Sequence, residues 1–359
     1  MRADPYRAAW FAGVLLSLSA CSPSITPIRG CSASHDLSPV CGLQNPEDIV
    51  TTPGGGWLLI SQMSAPEAAG NGSVAAYEPA SGRIETLFPV GEFDDARNWG
   101  EPTCAPPPAS RFTPHGIDLS RRADGELQLL VVNHAERDRV EYFAVEESDA
   151  GLGLYWRGCA AAPPQAYLND VVARHDGGFW VTDSLPRRWR LWAVLRALAF
   201  GAATGRVWRY TPTVGFVAEP GTEMPFPNGI AQAPGTETLY VASFFGNEVR
   251  RIDARAGAVT GRVEVRHPDN LSWTADGELL VASQSDSLVA LAACGDLLDG
   301  SCGAAFEVVE VDPVALTQRL VLAHEGAPIG GVSAALEVGN DLYLGTFAGN
   351  RIARWRWRD

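Results

Sequence analysis

Hydrophobic and polar positions along the chain fall into a pattern that returns six times. Each copy opens on a short polar or glycine pair, runs into an apolar strand, turns on Gly, Asp or Asn, and resumes with an alternating strand. The first copy reads Glu47-Asp48-Ile49-Val50, then Gly54-Gly55-Gly56, then Trp57-Leu58-Leu59-Ile60-Ser61. His115-Gly116-Ile117-Asp118 opens the second, and Asn169-Asp170-Val171-Val172 the third, the latter followed by Asp176-Gly177-Gly178 and Phe179-Trp180-Val181-Thr182. Asn228-Gly229-Ile230-Ala231, Asp269-Asn270-Leu271-Ser272 and Gly331-Val332-Ser333 open the other three. Period-two alternation between such turn residues predicts short strands. The copies begin roughly 40 to 70 residues apart, which suits one four-stranded propeller blade with its loops. The expectation is an all-β, six-bladed β-propeller spanning residues 45–359. A β-sandwich would not repeat at this length.

Two stretches break the pattern. Arg187 to Leu198 has no turn residue and places Leu191, Leu195 and Leu198 at helical spacing, predicting an inserted helix over residues 187–200 near one propeller face. Two readings stay open: a lid that shields core, or an active-site wall whose Trp and Arg residues touch a membrane. At the other break, Arg2 and Arg7 precede an apolar run from Ala8 that is too short to span a bilayer and reads as an export signal. It ends in Leu18-Ser19-Ala20-Cys21, which resembles the lipobox of bacterial lipoproteins. That likeness implies a lipoprotein signal peptide over residues 1–20, a lipidated Cys21 and a membrane-anchored, exported protein. Residues 21–44 are expected to be a linker.

Composition changes the picture in two ways. The chain of 359 residues carries a formal charge of −14, which disfavours nucleic acid as a partner. It has seven Cys, so lipidation of Cys21 leaves an even six, as suits disulfides in an exported protein. Cys294 and Cys302 bracket a Gly/Asp-rich turn and are expected to pair; Cys31–Cys41 and Cys104–Cys159 are the other expected pairs. No Cys or His spacing points to zinc.

The candidate chemistry lies at the head of each repeat. Equivalent positions in a propeller converge on one mouth of the channel. Reading that position gives Glu47/Asp48, His115/Gly116, Asn169/Asp170, Asn228/Gly229, Asp269/Asn270 and Gly330/Gly331. Asn and Asp are poor strand residues, and turn chemistry accounts for one such pair more easily than for four. Glu47, Asn169, Asn228, Asp269 and Asn270 offer two carboxylates and three amides, a hard-cation set that favours calcium over magnesium or zinc. Asp48 and Asp170 come one residue later and would point the other way, where a second ion could also use the carbonyl of Ile117.

These segments resemble the paraoxonase group of arylesterases and lactonases, relatives of the gluconolactonase and strictosidine synthase-like propellers. Phe112-Thr113-Pro114-His115-Gly116-Ile117, Leu130-Val131-Val132-Asn133-His134, Leu168-Asn169-Asp170-Val171-Val172, Pro227-Asn228-Gly229-Ile230 and Asp269-Asn270-Leu271-Ser272 carry the likeness. The resemblance implies two calcium ions: a catalytic one on Glu47, Asn169, Asn228, Asp269 and Asn270, and a structural one on Asp48, Asp170 and Ile117. It implies a histidine dyad at His115 and His134. Two departures stand out. The C-terminus has no Cys with which to tie the chain ends, and Gln284 lies near the place of a family histidine.

The activity this implies is calcium-dependent hydrolysis of a small lactone or aryl ester. His115, oriented by His134, would take a proton from water, with Asp269 as a rival base or nucleophile. A gluconolactonase-like enzyme and a non-catalytic calcium-stabilised binding propeller are the alternatives. No Gly-x-Ser-x-Gly elbow is present, so a serine hydrolase is not expected.

Overall fold

The computed structural model describes residues 26–64, 71–90, 99–134, 137–148, 151–188, 190–295, 297 and 299–358. The expected signal peptide and Cys21 lie outside them. Six antiparallel sheets form the six blades of a β-propeller. Their inner strands are Pro46–Thr51, Pro114–Arg121, Leu168–Ala173, Pro227–Gln232, Pro268–Trp273 and Val332–Val338. Each inner strand touches those of both neighbouring blades, closing a ring about one axis.

Apolar strand faces fill the gaps between blades. Between blades 1 and 2, for example, Leu59, Val74 and Phe88 pack on Leu129, Val131, Phe143 and Trp156. Such burial contributes about 25 cal/mol per Å², and the second strands, Leu58–Gln62 and Leu127–Asn133 among them, are almost wholly buried and mostly apolar.

The expected linker is corrected here. Leu37–Cys41 is a strand, paired antiparallel with Arg351–Arg356 as the outermost member of blade 6. Pro39 is tolerated because this strand lies at a sheet edge, where a missing N–H costs no ladder bond. Leu37 is fully buried, and the buried Arg351 donates to the carbonyls of Ile28, Gly30 and Pro328. Strand pairing thus joins the chain ends without a disulfide between them. The three expected disulfides, Cys31–Cys41, Cys104–Cys159 and Cys294–Cys302, are all present.

The inserted helix is α1, Arg190–Phe200, between the second and third strands of blade 3. Only Ala197 is buried; Leu191, Trp192, Leu195, Leu198 and Phe200 point into solvent. A helix that shielded core would bury these positions, so the shielding reading is corrected. Among the described residues no helix is long and apolar enough to cross a membrane.

Candidate active site

Every inner strand breaks register with its neighbour near its start, between Pro46/Asp48, Pro114/Ile117, Leu168/Val171, Pro227/Ile230, Pro268/Leu271 and Val332/Ala334. Such irregularities re-aim side chains and are common beside active sites. The polar residues singled out from the sequence lie on them. Gly116 and Gly229 are not turn residues here but points of close approach. A Cβ on Gly116 would meet Asp170 Oδ1 at 2.4 Å, and one on Gly229 would meet the Asp269 carbonyl oxygen at 2.5 Å. Glycine lets adjacent inner strands crowd together at the level of the polar residues.

Glu47, Asn169, Asn228, Asp269 and Asn270 are all buried. Asn270 Nδ2 donates to Glu47 Oε1 at 2.9 Å, and Asn228 Nδ2 donates to Asp269 Oδ1 at 2.7 Å. These contacts bring blades 1, 4 and 5 together. Asn169 has no side-chain contact that ties it to the other four, though its Oδ1 is buried too. The oxygens Glu47 Oε2, Asn169 Oδ1, Asn228 Oδ1 and Asn270 Oδ1 have no hydrogen-bond partner. A buried oxygen left this way costs about 1–3 kcal/mol, so several together imply a missing partner. Oxygen-only donors of this kind fit a hard cation. No cluster of three His, Cys, Asp or Glu ligands occurs among the described residues; amides make up most of this set.

Asp48 and Asp170 turn to the opposite side of the ring. They line a cavity of about 510 Å³ with Ile117, Ile230, Trp273 and Leu336. Asp48 accepts the Ile49 and Ile117 N–H groups, and Asp170 accepts those of Val171 and Ile230, all at 2.8 Å. Each carboxylate therefore staples its own blade to the next.

Electrostatics agree with that inventory. Burial, then repulsion from Glu47, pushes the Asp269 carboxyl up to about 7. Burial and neighbouring carboxylates likewise hold Asp48 and Asp170 well above the usual carboxylate range. Burial opposes the charged form of His115, but Glu47, Asp269 and Asp48 outweigh it and raise its pKa. His134 is shifted down by burial.

The two histidines meet: His115 Nδ1 and His134 Nε2 are 2.8 Å apart, and His115 Nε2 lies 3.5 Å from Glu47 Oε1. Three further neighbours complete the site: Gln284, which the sequence marked only as a departure from the family, and Ser333 and Asp138, which it did not mark as site residues. Gln284 Nε2 donates to Asp269 Oδ2 at 3.0 Å and to the Val332 carbonyl at 2.8 Å, so it fixes the carboxylate Asn228 also holds. Ser333, rather than Gly330 or Gly331, faces Glu47, donating to its carbonyl at 2.7 Å. Asp138 contacts His134 from an irregular segment that no periodicity marks.

A family model described as Arylesterase matches residues 102–351. No curated protein sequence matches. Among solved structures, a gluconolactonase from Xanthomonas campestris superposes with a TM-score of 0.52 at 17% identity, covering 89% of this chain and 88% of that one. A luciferin-regenerating enzyme superposes with a TM-score of 0.51 at 12% identity, covering 88% and 92%. At these identities the structural likeness speaks for the propeller alone, while the family match takes in most of the chain, including the strands that carry the histidine pair. The chain belongs to the arylesterase family.

Proposed function

We propose that the protein is a calcium-dependent hydrolase of lactones and aryl esters. The observation that carries this reading is the set of buried, unpartnered oxygens on Glu47, Asn169, Asn228 and Asn270 beside Asp269 and the histidine pair. These five residues would hold a catalytic calcium. Asp48 and Asp170, with one lone pair left on each stapled oxygen, would hold a deeper structural one with the Ile117 carbonyl. When bound, the catalytic ion supplies Lewis-acid polarisation of an ester carbonyl and charge stabilisation for its oxyanion.

The chain's own residues do the rest. Gln284 and Asn228 fix the Asp269 carboxylate from both sides, so it enters the site already oriented. Were a cation to neutralise Glu47 and Asp269, His115 would lose the charges that raise its pKa and could accept a proton from water. His134 holds the ring through Nδ1. Attachment to a membrane belongs to the same proposal: the outward apolar row of α1 beside Arg188, Arg190 and Arg196, together with a lipidated Cys21, suits a protein exported to a lipid surface.

Turnover of phenyl acetate and a lactone panel that includes gluconolactone, with and without EDTA, tests the reading. Loss of hydrolysis on chelation and its return with calcium are expected. Activity that ignores EDTA sinks the calcium role, and a gluconolactone-only profile selects the sugar-lactone alternative. A calcium-binding chain inactive on every substrate is a binding propeller.

A further inference from the structure

Behind the histidine pair lies a second pairing that the reading above does not use. Asp138 is fully buried. Its Oδ2 accepts the Leu168 N–H at 2.9 Å and lies 3.2 Å from His134 Nδ1; that approach is bent rather than in line, and no other acceptor serves the nitrogen. Its Oδ1 is held by Arg187, three residues before α1. Arg187 is fixed in turn by donating from Nε to the Ala166 carbonyl at 2.9 Å. The His134 ring stacks flat on Tyr167 at 4.4 Å, and Arg190, the first residue of α1, covers the ring of Tyr167 at 4.1 Å. Ring plane and ring edge of His134 are therefore both constrained.

The order of contacts dictates where protons sit. A carboxylate can only accept, so the charge of Asp138 beside Nδ1 favours the tautomer of His134 with its proton there. Its Nε2 is then a bare acceptor and draws the proton of His115 onto Nδ1, 2.8 Å away. His115 Nε2 lies 3.5 Å from Glu47 Oε1, so it gives up its proton only where that carboxylate is taken up by a cation. We propose that Asp138 is a positioning residue that fixes the tautomer of His134, so that its Nε2 accepts from His115 Nδ1 and holds the His115 ring with its Nε2 toward the oxygen cage. The inference rests on His115 being the base of the proposed hydrolysis. It also gives the segment before α1 a task in the site, since Arg187 clamps the carboxylate that starts the series. Without Asp138 the imidazoles lose their instruction. Each could flip its proton, and His115 could present an N–H where a lone pair is needed.

Nitrogen NMR of imidazole-labelled, calcium-loaded protein tests this, with His134→Gln used to assign the His134 signals. The expected result is a proton on His134 Nδ1 and none on its Nε2, with the Nδ1 proton lost in Asp138→Asn. In the same variant kcat should fall about 100-fold while KM stays within about twofold, because orientation of a base matters only in the chemical step. A proton on His134 Nε2 in the native protein overturns the proposal. So does an unchanged kcat in Asp138→Asn. If that variant does not fold, the native spectrum decides alone. Failure of the hydrolase reading shows separately, as a native chain with the expected tautomers and no turnover on any ester or lactone.

Discussion

Asn228 donates its amide to Asp269 at 2.7 Å, across the boundary between blades 4 and 5, while its own carbonyl oxygen stays buried and unpartnered. One side chain thus orients a carboxylate and presents an oxygen to the same space. Asn228→Ala should remove both functions. Calcium affinity is expected to fall about 10- to 100-fold, the usual cost of losing an orienting partner, with Asp269→Ala abolishing turnover outright. Titration calorimetry on the two variants checks this; unchanged affinity in both would remove these residues from the ligand set.

Metal removal should make stability depend on pH with a definite sign. In the cation-free chain Asp269 titrates at about 7, against 3.8 for an ordinary aspartate. Between those values the folded chain keeps a proton that the unfolded chain has released. Stability therefore falls as pH rises through this window, and the contribution of Asp269 levels off above about 7. Asp48 and Asp170, also raised, add to the fall in the same direction. Bound calcium should flatten or reverse the slope. Melting curves at pH values across the window, with EDTA and with calcium, give the comparison; identical slopes would deny a cation site at these carboxylates.

Legibility in the sequence followed the range of the interactions. Blade number was readable because each repeat is a local event, a polar head followed by period-two alternation. The repeat heads that carry Glu47, Asn169, Asn228, Asp269 and Asn270 were readable for the same reason, and their role as ligands is the proposal above. Ser333 was not readable: it follows Val332, the first residue of its strand, as Glu47 follows Pro46, but the Gly pair just upstream imitates the polar head of the other repeats. The strand Leu37–Cys41 was not readable either: its partner lies at the far end of the chain, and Pro39 argues locally against a strand. Asp138 is four residues from His134 but in no helix, so spacing carried no information about contact.

Blade closure should be the weak point of the fold. Leu37 is fully buried among Phe306, Leu342 and Leu344, and its truncation to Ala should cost about 2–5 kcal/mol. Arg351→Ala would strip donors from the carbonyls of Ile28, Gly30 and Pro328 and should cost several kcal/mol, at about 1–3 for each group left buried. Denaturant melts of both variants measure this. Losses of a few tenths of a kcal/mol would mean that the paired ends do little to hold the ring shut.

The outward face of α1 gives a prediction about location. Leu191, Trp192, Leu195, Leu198 and Phe200 are exposed on eleven helical residues that also carry Arg190 and Arg196. Large apolar side chains in water gain about 1.5–3 kcal/mol each on full burial, and arginines at the rim add attraction to anionic headgroups. Because the interface buries such side chains only in part, replacing Trp192 and Leu195 together with Ser should weaken binding to anionic vesicles by at least about tenfold. Lipidation must be separated from the helix, so the measurement uses chains that begin after Cys21, with vesicle sedimentation at low and high salt. Equal sedimentation of native and substituted chains would leave the proposed lipid on Cys21 as the sole attachment. Loss of binding in the substituted chain alone would place the helix at the lipid surface, beside the segment whose Arg187 reaches back to Asp138 and the histidine pair.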